Sequence, residues 1–214
     1  MKLKKKPIAT RASLVNPKNY AAVFEQLKDD IQQTQLKAAL SVTKEVILFY
    51  WRTGKLLSKM ISTEGWGAKT LEKLSRDILR SFPEIQGFSK RNLQYMRKFA
   101  ESYPDSNCAT AVAQLPWGHN VLLLNKLGEL SHRLWYAQQA IENGWSRSML
   151  EMWIEANLHK RKGKAITNFK HTLPVPQSDI AQQILKDPYN FGFLTLDTIH
   201  REKELEQGLI DHLQ

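Results

Sequence analysis

The segment 89–103, SKRNLQYMRKFAESY, carries basic and amide side chains whose chemistry suits contacts to nucleic acid. Arg can donate to two acceptors on one guanine, and Gln can pair with adenine. Helical steps of about 100° turn Leu93, Met96 and Ala100 inward and the polar side chains outward. The side chains that we predict to contact DNA on this outward face are Lys90, Arg91, Gln94, Tyr95, Arg97 and Lys98.

Two of these cations, Lys90 and Arg91, fall in the first turn of the predicted helix. The positive end of the helix dipole lies there, and each cation costs about 0.3–1 kcal/mol. Helix stability alone therefore does not favour these residues, whereas a polyanionic partner would. The alternative interpretation is a solvated basic face on an ordinary pair of helices.

Two predicted helices position this face. Apolar residues recur at helical spacing from Leu71 to Phe82, and Pro83 ends the first helix near Ser81. Ser89 is a good N-cap residue for the second helix. Two helices joined by a turn with proline and glycine suggest a helix-turn-helix, although the turn, residues 82–88, is longer than usual.

The composition agrees with a nucleic-acid partner. The chain has 214 residues, is 42% hydrophobic and 24% charged, and carries a net charge of +10. This is an ordinary globular composition with a strong excess of cations, for which nucleic acid is the commonest reason. Five cations and no acid occur in the first fourteen residues, so part of the excess belongs to a tail.

The chain carries no signal for secretion or for a membrane. No apolar run follows the N-terminal lysines, and no stretch approaches the roughly 20 apolar residues that a membrane helix needs. The single cysteine, Cys108, excludes an internal disulfide framework and a cysteine zinc site. We therefore predict a cytoplasmic protein.

The remaining pattern predicts an all-α helical bundle that contains the helix-turn-helix. A helix starts at Asn16-Pro17, and a more apolar segment, 36–61, lies in the centre of the bundle. We predict a helical domain over 16–158 between a disordered basic tail, 1–15, and a basic, proline-containing linker, 159–177. In that linker Lys160, Arg161 and Lys162 would contact DNA phosphates, with a solvated linker as the alternative.

No local catalytic motif occurs in the sequence. The patterns HExxH, GxSxG and GxxxxGK[ST] are missing, and no lysine has an acid two positions before it. We therefore predict no catalytic residue, no metal ligand, no cofactor and no small-molecule substrate for this chain. A metal nuclease would need paired acids and a nearby lysine to hold Mg²⁺ and orient water.

Several blocks taken together resemble the YhcG-type protein family. The blocks are LEKLSRDILRSFP, GFSKRNLQYMRKF, AQLPWGHNVLLL, RLWYAQQAIENGWSRSMLE and TLPVPQSDIAQQILKDPYNFGFL. The resemblance implies an all-helical DNA-binding domain followed by a nuclease domain of the PD-(D/E)xK class, which would use Mg²⁺ when complete. It also implies that the segment 200–214 opens the nuclease domain, so we expect 178–214 to be a short remnant of that α/β domain.

Two functions are compatible with these observations. The first is a DNA-binding recognition domain of a PD-(D/E)xK nuclease, without catalytic residues in this chain. A variant of it keeps nuclease function if another chain supplies the strands that carry the catalytic acids and the E-x-K pair of the resembled nuclease domain. The second is a scaffold for protein interaction or dimerisation without direct DNA binding. A homodimer is expected through Leu205, Leu209 and Leu213, which form an apolar row in the last predicted helix.

Overall fold

The computed structural model describes residues 17–161 and 178–193. All regular structure in these two ranges is helical, which confirms the predicted all-α class. No helix within them is both long and apolar enough to cross a membrane. The helices are α1 (Pro17–Glu64), α2 (Ala68–Ser81), α3 (Lys90–Ser102), α4 (Ser106–Val112), α5 (Trp117–Lys126), α6 (Leu130–Asn143), α7 (Arg147–Glu155), α8 (Leu158–Arg161), α9 (Asp179–Leu185) and α10 (Pro188–Phe193).

Helix α1 is the axis of the fold. Its 48 residues span about 72 Å at 1.5 Å per residue. The two apolar segments expected from the sequence form one helix, because no proline or glycine interrupts the chain between Pro17 and Gly54. From Leu36 onward one side of α1 is buried in the core, whereas most residues before Leu36 are exposed.

Among the described helices, α3 makes the most extensive contact with α1. The two backbones approach closely at Gly54, where an added Cβ would overlap the carbonyl oxygen of Met96 and lie 2.8 Å from the Cβ of Ala100. Leu93, Met96 and Ala100 are buried, as the helical spacing predicts. This packing fixes which face of α3 is turned to solvent.

An aromatic cluster holds α1, α3 and α5 together. The ring centroid of Trp117 lies 5.0 Å from that of Tyr50 and 5.4 Å from that of Phe99. The indole nitrogen of Trp117 donates to the side-chain oxygen of Asn92 at 2.7 Å, and the side-chain NH₂ of Asn92 donates to the Gly87 carbonyl. The buried cluster thereby also anchors the turn that precedes α3.

The turn between α2 and α3 is fixed at both ends. The hydroxyl of Ser75 in α2 donates to the Phe88 carbonyl at 2.7 Å. The Ser89 hydroxyl caps α3 by accepting from the backbone amide of Asn92 at 3.2 Å. Gly87 has a φ of 89°, a left-handed conformation that glycine adopts without a steric penalty. Two helices in contact around an ordered turn are compatible with a helix-turn-helix, whose role in reading DNA stays a prediction.

Helices α9 and α10 pack on α1, although the sequence places a domain start at residue 178. Ile180 and Ile184 are buried, and the side-chain amide of Asn190 donates to the Thr43 hydroxyl at 2.8 Å. The Ile180 amide donates to the Gly144 carbonyl at 3.2 Å. These contacts join residues 178–190 to the helical core. Most of the apolar side chains of the short helix α9 are buried there, and both short helices pack on α1.

Several predicted segments lie outside the described residues. They are the basic tail, most of the linker 159–177, and residues 194–214 of the expected nuclease remnant, which include Leu205, Leu209 and Leu213. The division of the chain at these points stays a prediction.

Candidate nucleic-acid interface

The outward face of α3 presents the predicted polar side chains to solvent. Arg91, Gln94 and Lys98 are exposed, and Lys90, Tyr95 and Arg97 are partly exposed. Helix α3 contains four cations and a single acid, Glu101, which lies in its last turn. The helix therefore offers a concentrated positive charge with donors pointing outward.

Lys90 lies at the N-terminal end of this face and is paired with α2. Its ammonium group is 3.3 Å from the Glu72 carboxylate, and both side chains are substantially exposed. Exposed ion pairs of this kind contribute about 0–1 kcal/mol, so a phosphate could replace Glu72 as the partner at little cost. The Ser89 cap holds the first turn that carries Lys90 and Arg91.

Arg91 and Tyr95 form a cation–π contact in the middle of the face. The guanidinium carbon of Arg91 is 5.7 Å from the centroid of the Tyr95 ring. The Tyr95 hydroxyl accepts from the side-chain amide of Asn125 in α5 at 3.2 Å. Hydrogen bonds from Asn125 and then Arg91 lower the pKa of Tyr95 below its usual range. The ring position is thus tied to α5, and the arginine lies over the ring.

Arg97 and Glu101 connect the face to α1. The Arg97 Nε lies 3.4 Å from the Glu101 carboxylate, which also accepts from the Ser58 hydroxyl of α1 at 2.9 Å. Glu101 is thereby held at the C-terminal edge of the face. Its negative charge limits the positive surface on that side.

Five of the nine predicted DNA-binding residues line one cleft between α3 and α5. The cleft has a volume of about 370 Å³ and is bordered by Glu101 and Asn125. Asn125 was missed by sequence reasoning, because nothing local indicates that a residue thirty positions after Tyr95 contacts it. The five residues are Arg91, Gln94, Tyr95, Arg97 and Lys98.

The second predicted basic group is positioned by other helices. Lys160 is exposed on α8, which packs on α6 and α7, whereas α3 packs on α1, α2 and α5. The Arg161 side chain and Lys162 lie outside the part of the chain that the structure describes. Of this group, the structure therefore describes only the Lys160 side chain, which lies on a different helix from the cleft on α3.

The side chains that line the cleft are suited to binding. Its side chains supply guanidinium, ammonium and amide donors, which suit phosphate oxygens and base edges. Within residues 17–161 and 178–193, no group of three or more His, Cys, Asp or Glu is arranged to hold a metal ion.

These features define an all-α domain with a cationic cleft on one helix, and sequence comparison assigns its family. The family described as the DUF1016 N-terminal domain matches residues 26–161, well over half of the chain. The chain belongs to this family. It is also 24% identical over 182 residues to "Putative nuclease YhcG" of Escherichia coli (strain K12), covering 69% of this chain and 48% of that protein.

The two matches confirm the resemblance to YhcG-type proteins that the sequence blocks indicated. The chain spans about half the length of this curated relative. No solved structure matches the chain.

Proposed function

We propose that this chain is a DNA-recognition domain of a YhcG-type nuclease and that the outward face of α3 contacts the DNA. The single observation that carries the proposal is the cleft in which Arg91, Gln94, Arg97 and Lys98 converge with Tyr95. The net charge of +10 and the relative named as a nuclease support it. A DNA partner also fits the predicted cytoplasmic location.

The arrangement of the face suits a polyanion. Lys90 is held in an exposed ion pair that a phosphate can replace, and Arg91 is already positioned over Tyr95. Arg97 is partly exposed and pairs with Glu101 through a buried Nε. Phosphate contacts would orient the domain, and Arg91 and Gln94 would then be available for base edges. Phosphate contacts from Lys160, Arg161 and Lys162 are a further part of this proposal.

Cleavage is assigned to the resembled nuclease domain and not to these 214 residues. No acid stands two positions before any lysine in the sequence, so the E-x-K pair of the PD-(D/E)xK class is missing from it. Mg²⁺ binding is therefore proposed only for a complete nuclease domain.

Binding to duplex DNA measured across a range of salt concentrations tests the proposal. Each neutralised phosphate contributes about 0.9 to the slope of log K against log salt concentration. The double variant Arg91→Ala, Lys98→Ala should bind more weakly and reduce that slope by up to about 2, because both side chains are exposed. Branched and single-stranded DNA in the same titration would identify the preferred form.

The matched control removes the same charge from α1. Lys37→Ala, Lys44→Ala deletes two exposed cations outside the cleft, and it should leave the slope close to that of the parent. Equal slopes for the parent and the Arg91, Lys98 variant would refute the proposed interface. Equal losses in both double variants would indicate attraction by net charge alone.

A scaffold for protein interaction is the second candidate function. A row of exposed large apolar side chains on α1, between residues 20 and 31, favours it.

A further inference from the structure

The first half of α1 carries a row of large apolar side chains on its surface. They are 53–63% exposed, although side chains of this kind are usually buried. The rings of Tyr20 and Phe24 stack with centroids 6.4 Å apart, so the row is continuous at its start. Its members are Tyr20, Val23, Phe24, Leu27 and Ile31.

The row faces away from the core of its own chain. Leu36 is the first fully buried residue of α1 and follows Leu27 by nine positions. At about 100° per residue, nine steps bring Leu36 to the opposite side of the helix from Leu27. The bundle that packs on α1 from Leu36 onward therefore lies on the side opposite to the row.

The spacing of the row matches a two-stranded coiled coil. Tyr20, Phe24, Leu27 and Ile31 follow one another at intervals of four, three and four residues. This is the heptad order d, a, d, a, in which Leu at d and Ile at a favour pairing of two helices. The next seam positions are exposed, small residues, namely Thr34, Ala38 and Ser41, and Glu45 then ends the seam.

The area of the row agrees with a contact between two copies. Five side chains that are just over half exposed present roughly 500 Å² per chain, near the upper limit for an apolar patch on a monomer. Two copies would bury about 1,000 Å², which lies at the small end of specific interfaces, where weak complexes are found.

Local charge permits the pairing of two identical helices. The segment 17–35 contains two lysines and three acids, so it is nearly neutral in a chain whose net charge is +10. Two copies can approach through this segment without the repulsion that the rest of the surface would cause.

We propose that two copies of this chain pair through the apolar row of α1. The two bundles lie on the outer sides of the paired helices, because each core faces away from the row. This surface differs from the homodimer expected through Leu205, Leu209 and Leu213. The dimer would carry two α3 faces related by a two-fold axis.

Sedimentation of the full chain without DNA, in salt high enough to screen surface charge, tests the proposal. The parent should dimerise over the micromolar range. Leu27→Glu should raise the dissociation constant at least about 100-fold, because a symmetric dimer loses two buried leucines. Leu56→Glu is the matched control, since Leu56 is 58% exposed on the same helix and outside the row.

We expect the Leu27→Glu variant to be monomeric and the Leu56→Glu variant to dimerise like the parent. Circular dichroism should give all three proteins the same helix content. Phe24→Gln provides a second variant in the row should Leu27→Glu lose helix content. A monomeric parent, equal dimerisation of the parent and both row variants, or equal weakening by Leu56→Glu would each overturn the proposal.

Discussion

Replacing Ile180 with alanine tests whether α9 belongs to the helical core. Ile180 is fully buried on α9, and its amide donates to the Gly144 carbonyl at the left-handed cap of α6. Removing its outer carbons leaves a cavity beside a helix that packs on α1. Substitutions of Ile by Ala at such sites cost about 2–5 kcal/mol of unfolding free energy. The expected loss is a large fraction of a total stability of about 5–15 kcal/mol.

Urea unfolding measures this loss. With a dependence of about 1–3 kcal/mol per molar urea, the unfolding midpoint of Ile180→Ala should fall by roughly 0.7–5 M. Leu56→Ala serves as the control, because Leu56 is exposed on α1 and should change stability by less than about 0.5 kcal/mol. If the two variants unfold at the same urea concentration, α9 does not belong to the core and the predicted boundary at residue 178 is correct.

Two further predictions concern packing and pH. Gly54→Ala should lower the unfolding free energy by roughly 1–3 kcal/mol, because its Cβ would overlap the Met96 carbonyl. In thermal unfolding Gly118→Ala should show no such loss, since its Cβ would meet only the Arg147 side chain at 3.8 Å. Burial raises the pKa of Asp187 to about 6, so its contribution to stability falls as the pH rises from about 4 to 6. Burial lowers the pKa of His119 to about 4, and its contribution rises over nearly the same range. Asp187→Asn should therefore convert a shallow pH profile of urea unfolding into one that rises from about pH 4 to 6.5, and a profile parallel to the parent's would contradict the assignment.

Local features of α3 could be predicted because they depend on neighbours in sequence. Ser89 caps the helix as expected, and the inward side chains Leu93 and Met96 follow from helical spacing alone. The left-handed Gly144 at the end of α6 and the close approach at Gly54 also have local signals. A glycine within an apolar helix indicates that another helix packs closely there, and an Asn-Gly pair after a helix indicates a left-handed C-cap.

Contacts between distant segments could not be predicted in this way. Asn125 reaches Tyr95 only because α5 packs on α3, and Asn190 reaches Thr43 across 147 positions. A short helix such as α9 has the same local pattern whether it packs on its own domain or begins another. The domain to which such a segment belongs depends on the surface against which it packs, and that surface exists only in the folded chain.

A photo-crosslinking side chain at position 94 tests the central proposal most directly. Gln94 is exposed in the middle of the α3 face and carries no charge, so its replacement leaves the net charge unchanged. With duplex DNA bound, the probe at position 94 should crosslink to DNA in high yield, and the same probe at the exposed position 56 of α1 should not. Equal crosslinking from both positions, or efficient crosslinking from position 56 alone, would contradict the assignment of α3 as the DNA-contacting helix.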